Sequence, residues 1–232
     1  MSEYHNTKAE DRVPLGQKLA VGAGGFPIQN GGLIVQYMAQ PIFQIFLGLN
    51  PALFGLAMTI PRIWDAFTDP VMGRISDRTQ SRYGRRRPYV FVGALAVALT
   101  FLTIWMVPQS MGDTGTFLWL TIGSVLFFTA FTVFSVPFNA LVYEQTPDYH
   151  ERTRLMFYLA LFYNIGNLCV NWYVPATNWS GFENPLVGAR WIALGLALVV
   201  FMGMGILPAI FGKERFYDVA QKENKDIGFM KA

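Results

Sequence analysis

The chain has 232 residues, 53% of them hydrophobic and only 14% charged, with a net charge of +3. Soluble domains carry about one quarter charged residues, so the composition excludes an ordinary soluble globular protein. Several apolar stretches are long enough to cross about 30 Å of hydrocarbon as helices, and the short alternating segments of a membrane barrel are not the pattern seen.

The fold class this predicts is all-α: a polytopic membrane protein built as a six-helix bundle. The expected layout is a cytoplasmic N-terminal segment over 1–17, six transmembrane helices over 18–211 and a cytoplasmic tail over 212–232. Residues 1–12 are polar and lack the apolar core of a cleaved signal peptide. The first span, 18–47, includes Gly22-Ala23-Gly24-Gly25-Phe26-Pro27-Ile28-Gln29-Asn30-Gly31-Gly32. Small residues let helices approach closely, and Pro27 releases a backbone carbonyl. Two readings stand side by side: tight packing with a kink, or a broken helix lining a cavity with Gln29 and Asn30. A phosphate-cradling loop is disfavoured because no Lys-Ser or Lys-Thr pair follows.

The second span, 51–74, holds two acids in Arg62-Ile63-Trp64-Asp65-Ala66-Phe67-Thr68-Asp69-Pro70. Arg74 follows nine residues after Asp65. At 1.5 Å per residue, Asp65 lies roughly 14 Å below the nearer membrane surface, close to mid-bilayer. A carboxylate there costs at least about 2.5–3.5 kcal/mol, and such groups face a bundle interior or a wet cavity and handle ions or protons. The i, i+4 spacing puts both acids on one face with Thr68 beside them. The bland alternative is a carboxylate merely neutralised by Arg62.

The loop after this span carries Arg82, Arg85, Arg86 and Arg87. In a short connection between spans such a run fixes topology, and pairing with acids of neighbouring loops would let it take part in gating. A phosphate-binding patch is the weaker reading. The third span is 89–108 and the fourth 117–143, where Ser135 and Asn139 share a face. The fifth, 155–175, bears Asn164, Asn167 and Asn171 at i, i+3 and i+7, a polar stripe that Tyr163 extends. Amides in hydrocarbon need partners. These are either neighbouring helices or a hydroxyl-rich ligand. The sixth span is 191–211, and the tail beyond it has an amphipathic pattern with Phe216, Val219 and Ala220 on one side. The lone cysteine, Cys169, permits no intramolecular disulfide, and neither His5 nor His150 has a ligand partner at metal spacing.

Basic residues set the orientation. Lys8, Arg12, Lys18, the arginines from Arg74 to Arg87, Arg152, Arg154, Lys213, Arg215 and the tail lysines fall on one side, against Arg190 alone on the other. Both termini are therefore expected in the cytoplasm. The positive charge restates this bias and does not argue for nucleic acid.

The acid pair and its loop continue as Val71-Met72-Gly73, then Ser76-Asp77-Arg78-Thr79-Gln80-Ser81-Arg82-Tyr83-Gly84-Arg85-Arg86-Arg87-Pro88. Together with Val136-Pro137-Phe138-Asn139-Ala140-Leu141 and Glu151-Arg152-Thr153-Arg154-Leu155, this closely resembles the glycoside–pentoside–hexuronide:cation symporters of the major facilitator superfamily, the melibiose-permease-like proteins. The resemblance runs from about Lys18 to the tail and matches the N-terminal half of a twelve-helix family. It implies a cation site at Asp65, Thr68 and Asp69, for sodium, lithium or a proton. Thr68 stands where the melibiose-permease-like pattern has asparagine. The family's sugar-binding acids fall at Gln29 and Ser135, the neighbouring tryptophan at Asn139 and the arginine near Ala160, so its charged sugar contacts are absent. Lysolipid symporters share the aspartate motif, so an amphiphilic solute stays open.

The function expected is a cation-coupled secondary active symporter, or its N-terminal half, for a small polar solute such as a sugar or glycoside. Asp65, Thr68 and Asp69 would hold the coupling cation (Na+ or H+), with no other metal or cofactor. Gln29, Asn30, Ser135, Asn139, Asn164 and Asn167 would line the solute cavity. The partners are the lipid bilayer, the solute and a C-terminal six-helix half. The sequence is compatible with a fragment, a truncated gene or a six-helix chain that pairs with another half. A non-transporting assembly or sensor subunit is the rival. An enzyme is disfavoured, because no nucleophile–base pair or nucleotide loop is visible.

Overall fold

The computed structural model describes residues 7–214, so His5 and the tail with its predicted amphipathic pattern at Phe216, Val219 and Ala220 lie outside the described residues. Within them, six helical rods follow a single 3-10 turn at Ala9–Asp11. The first rod is α1 (Leu15–Ala23) and α2 (Gly25–Ala39), extended by a π-helical stretch, Gln40–Phe46. Next come α3 (Pro51–Arg78), α4 (Arg87–Trp105), α5 (Asp113–Tyr143) and α6 (Tyr149–Thr177). The last rod joins α7 (Pro185–Leu196), a π-helical stretch Ala197–Met204, and α8 (Gly205–Phe211).

Local chemistry explains the boundaries. Asn50 accepts from the Ala52 N–H at 2.9 Å with Pro51 at the first helical position. Asn184 does the same for Val187, again followed by proline, so the sixth rod begins at Pro185 rather than at Trp191. Both pairs are helix-start signals. Likewise α3 runs to Arg78 and α5 starts at Asp113, because a helix need not stop at the hydrocarbon boundary. The first rod breaks at Gly24. Pro27 is the third residue of the new helix and lacks an N–H for the Ala23 carbonyl, so the segment is both broken and closely packed.

Three rods, Arg87–Trp105, Asp113–Tyr143 and Pro185–Phe211, are apolar and long enough to cross a membrane by length and composition. The other three carry the break, the acid pair and the asparagine stripe. Those polar features are tolerated where a helix faces protein or a wet interior.

Packing centres on α4 and α5, with α3 laid on α5, α2 and α1 on α6, and α8 on α4. Phe101 is the hub of a buried aromatic cluster, with ring centroids 5.3 Å from Phe201, 5.6 Å from Phe127 and 5.8 Å from Trp105. Lipid offers no hydrophobic drive between helices, so close dispersion contact carries the association. Gly93 makes the α4–α5 approach possible: a Cβ there would sit 2.6 Å from the Phe134 backbone nitrogen. Gly25 does so for α2 against α6, where a Cβ would meet the Leu159 carbonyl oxygen at 2.6 Å.

Candidate functional site

The acid pair sits on the side of α3 that faces α5. Asp69 accepts a hydrogen bond from Thr132 Oγ1 on α5 at 2.8 Å. One turn earlier, Trp64 Nε1 donates to Thr129 Oγ1 at 2.9 Å, a second tie between the same helices. Thr68 donates its hydroxyl proton to backbone carbonyls of its own helix, Trp64 at 3.3 Å and Asp65 at 3.4 Å, which leaves the Oγ1 lone pairs for another partner. Pro70 has no N–H for the Ala66 carbonyl four residues back, so a neutral backbone oxygen is released beside the pair.

Asp65 is half-buried, and its two oxygens differ. Oδ2 lies 3.9 Å from Arg62 Nη1, a long contact, while Oδ1 is buried without a hydrogen-bond partner. Arg62 is engaged elsewhere: Nη2 donates to the Gly32 carbonyl at 2.9 Å, and the guanidinium lies over the Phe128 ring at 4.6 Å. The arginine therefore does not neutralise Asp65 fully. A buried carboxylate oxygen with nothing to accept from is the feature a hard cation or a proton would satisfy.

The predicted solute residues divide. Gln29 on α2 donates to Asn167 on α6 at 2.9 Å, so two of them meet. Asn30 is fully buried between the Tyr173 hydroxyl at 2.8 Å and the Phe26 carbonyl at 3.0 Å. Asn164 and Asn171 turn back onto their own helix, to Ala160 and Asn167 carbonyls, so the expected stripe reaches a neighbouring helix only at Asn167. Ser135 is half-buried and Asn139 exposed. Among the described residues no hydrogen bond joins these amides to the acid pair.

Thr132 went unnoticed in the sequence. It extends Ser135 and Asn139 to an i, i+3, i+7 face that ends on Asp69. Threonine is common in membrane helices, so only the two known positions could have pointed back to it.

At the arginine-rich end, Glu144 receives Arg85 Nη2 at 2.5 Å and Arg86 Nη1 at 2.7 Å, and Asp77 receives Arg86 Nη2 at 2.6 Å. Arg87 instead donates to the last carbonyls of α8, Ala209 at 2.7 Å and Ile210 at 2.9 Å. The Glu214 carboxylate takes the backbone N–H groups of Arg85, Arg86 and Arg87 at 2.6, 2.7 and 3.0 Å, an anion at a helix start. Arg82 is exposed, with its guanidinium 4.6 Å from the Tyr83 ring centroid. Arg190, at the start of the last rod, caps α4 by donating to the Trp105 and Val107 carbonyls, each at 3.0 Å.

An all-helical bundle in which three rods are long and apolar enough to cross a bilayer is that of an integral membrane protein. Residues 20–229 match the family described as MFS/sugar transport protein, and the chain belongs to that family. It is similar to the uncharacterized symporter sll1374 of Synechocystis, 36% identical over 144 residues, which cover 60% of this chain and 26% of that relative. It is similar also to the sodium-dependent lysophosphatidylcholine symporter 1-A of Danio rerio, 32% over 136 residues, 58% of this chain and 25% of the relative. The putative glycoside/cation symporter YagG of Escherichia coli is 27% identical over 191 residues, 81% of this chain and 40% of the relative. The matched stretch is thus a minor part of each relative's length.

Proposed function

We propose that the chain is the six-helix part of a secondary active symporter in which Asp65 and Asp69 capture the coupling cation. The observation that carries this is the unpartnered, buried Oδ1 of Asp65, one turn from a second carboxylate held by Thr132. Thr68 Oγ1 and the Ala66 carbonyl supply neutral oxygens, a donor set suited to Na+; the same pair also takes a proton. Gln29, Asn167, Ser135 and Asn139 line the solute path, while Asn30 braces α2 against α6. Arg85 and Arg86, pinned by Glu144 and Asp77, close the cytoplasmic end, and the excess of basic residues on that side supports a cytoplasmic location for both termini.

A second set of six helices completes the cavity. Leu56, Ile60, Ile63, Phe67 and Val71 form an exposed apolar stripe along α3, a helix that packs mainly on α5. Such a stripe suits a facing helix.

The solute is a sugar or glycoside, read from uncharged amides and hydroxyls and from the named relative YagG. A lysolipid is the second reading, favoured by the similarity to the Danio rerio symporter. Uptake by the full-length protein in vesicles, driven by a Na+ or H+ gradient and screened across glycosides and lysolipids, tests both. Asp65→Asn and Asp69→Asn should each abolish cation-driven accumulation. Unchanged uptake in the double variant would refute the assignment.

A further inference from the structure

A groove of about 460 Å³ opens at the arginine-rich end between the start of α4 and the end of α8. Tyr83, Arg87, Phe91, Val92 and Ile210 line it. It lies away from the acid pair, and nothing in the transport reading uses it. Four of these side chains, Tyr83, Phe91, Val92 and Ile210, are exposed. Arg87 and Pro88 open a helix apolar enough to span the bilayer, and Ile210 nearly closes another, so the groove sits where hydrocarbon gives way to headgroups.

The charges around it are uneven. Arg85 and Arg86 are paired with Glu144 and Asp77. Glu214, the acid against Gly84, is taken up by three backbone N–H groups. Arg87 donates only to main-chain carbonyls, and Arg82 lies over Tyr83; among the described residues neither has a carboxylate partner. Two guanidinium groups without a carboxylate partner among the described residues thus lie at an apolar slot, Arg87 in its lining and Arg82 over Tyr83.

We infer that this groove binds one anionic phospholipid of the cytoplasmic leaflet, its phosphate on Arg82 and Arg87 and an acyl chain along Phe91, Val92 and Ile210. Guanidinium groups match phosphate oxygens in a forked geometry. The inference goes beyond the symporter reading and needs only that the arginine-rich end face the cytoplasm.

The test titrates delipidated full-length protein in detergent with phosphatidylglycerol or phosphatidylcholine and counts bound lipid by native mass spectrometry. Phosphatidylglycerol should be preferred, by about fivefold for each arginine engaged. Arg82→Gln should cut that preference by about fivefold, and among the described residues this exposed side chain makes no hydrogen bond whose loss would unfold the protein. Val92→Trp should fill the slot and weaken both lipids together. Arg87→Lys should keep part of the preference. Equal binding of the two lipids, or a preference unaltered in Arg82→Gln and Val92→Trp, overturns the inference. Displacement of phosphatidylglycerol by inorganic phosphate at equal concentration also overturns it, by reducing the site to a bare anion contact.

Discussion

Thr132 of α5 donates its hydroxyl to Oδ1 of Asp69 on α3 at 2.8 Å, so the tightest side-chain tie between these two helices is made at the acid itself. The second tie, from Trp64 to Thr129 at 2.9 Å, lies one turn away. Any change in what Asp69 holds therefore acts directly on the α3–α5 contact. On the proposed function, occupation of the acid pair and the seating of α3 are coupled, and Thr132 is the positioning residue that couples them.

Thr132→Val keeps the shape of the side chain and removes the donor. A hydrogen bond to a charged group contributes about 1.5–3 kcal/mol, less where the acceptor is partly solvated, as Asp69 is. The half-saturating cation concentration for uptake by the full-length protein should rise by about fivefold or more, with Thr132→Ser close to wild type. An unaltered cation dependence in Thr132→Val would remove this threonine from the site.

Glycine substitutions should separate packing positions from neutral ones. Gly93→Ala puts a Cβ 2.6 Å from a backbone atom of α5, which has no flexible end to yield. A loss of about 1–3 kcal/mol is expected, as for overpacking in a well-filled core. Gly195→Ala on α7 meets nothing within 4 Å and should be neutral or slightly stabilising, since alanine is the better helix former. Thermal unfolding midpoints in detergent compare the two; equal midpoints would contradict the close α4–α5 approach.

Much of the architecture was legible because membrane helices announce themselves by length and by apolar composition. The acid pair stood out in the sequence because a carboxylate expected near mid-bilayer has few reasons to exist. Partners across helices were not legible: Thr132 and Thr129 look like ordinary span residues, and nothing local marks Glu214 as the acceptor for three N–H groups of a distant loop. The partners of the asparagine stripe were only partly legible, for a related reason. Periodicity places Asn164, Asn167 and Asn171 on one face but cannot tell a side chain that crosses to a neighbour from one that bonds its own helix four residues back.

Arg190 is basic on the side that otherwise lacks basic residues, and its geometry explains why. Its guanidinium bridges the Trp105 and Val107 carbonyls at the end of α4, groups left without helical partners. Arg190→Gln should lower stability by about 2 kcal/mol through loss of charged hydrogen bonds. Arg190→Lys should recover only part, because one ammonium cannot reproduce the fork. Equal thermal midpoints for Lys and Gln would show that bridging is irrelevant.

Glu151 gives a pH dependence whose sign can be worked out. It lies in the first turn of α6, ahead of the apolar span, and is 1% exposed. Burial alone would raise its pKa. The hydrogen bond from Lys18 at 2.7 Å, the Val13 N–H at 2.9 Å, the Lys18 charge and the Arg154 hydrogen bond together outweigh burial and hold it below the ordinary 4.5. A group with a depressed folded pKa stabilises the fold fully above the unfolded value, and that stabilisation is lost as pH falls through the folded value. Glu151→Gln leaves Lys18 without its counter-charge and should cost on the order of 3 kcal/mol near pH 7. The gap between wild type and variant should then narrow below about pH 4.5, where protons neutralise Glu151 in the unfolded and then in the folded chain. Thermal unfolding followed from about pH 7 to about pH 3 measures the gap. A difference that stayed constant across that range would mean the carboxylate charge does not hold α1 to α6.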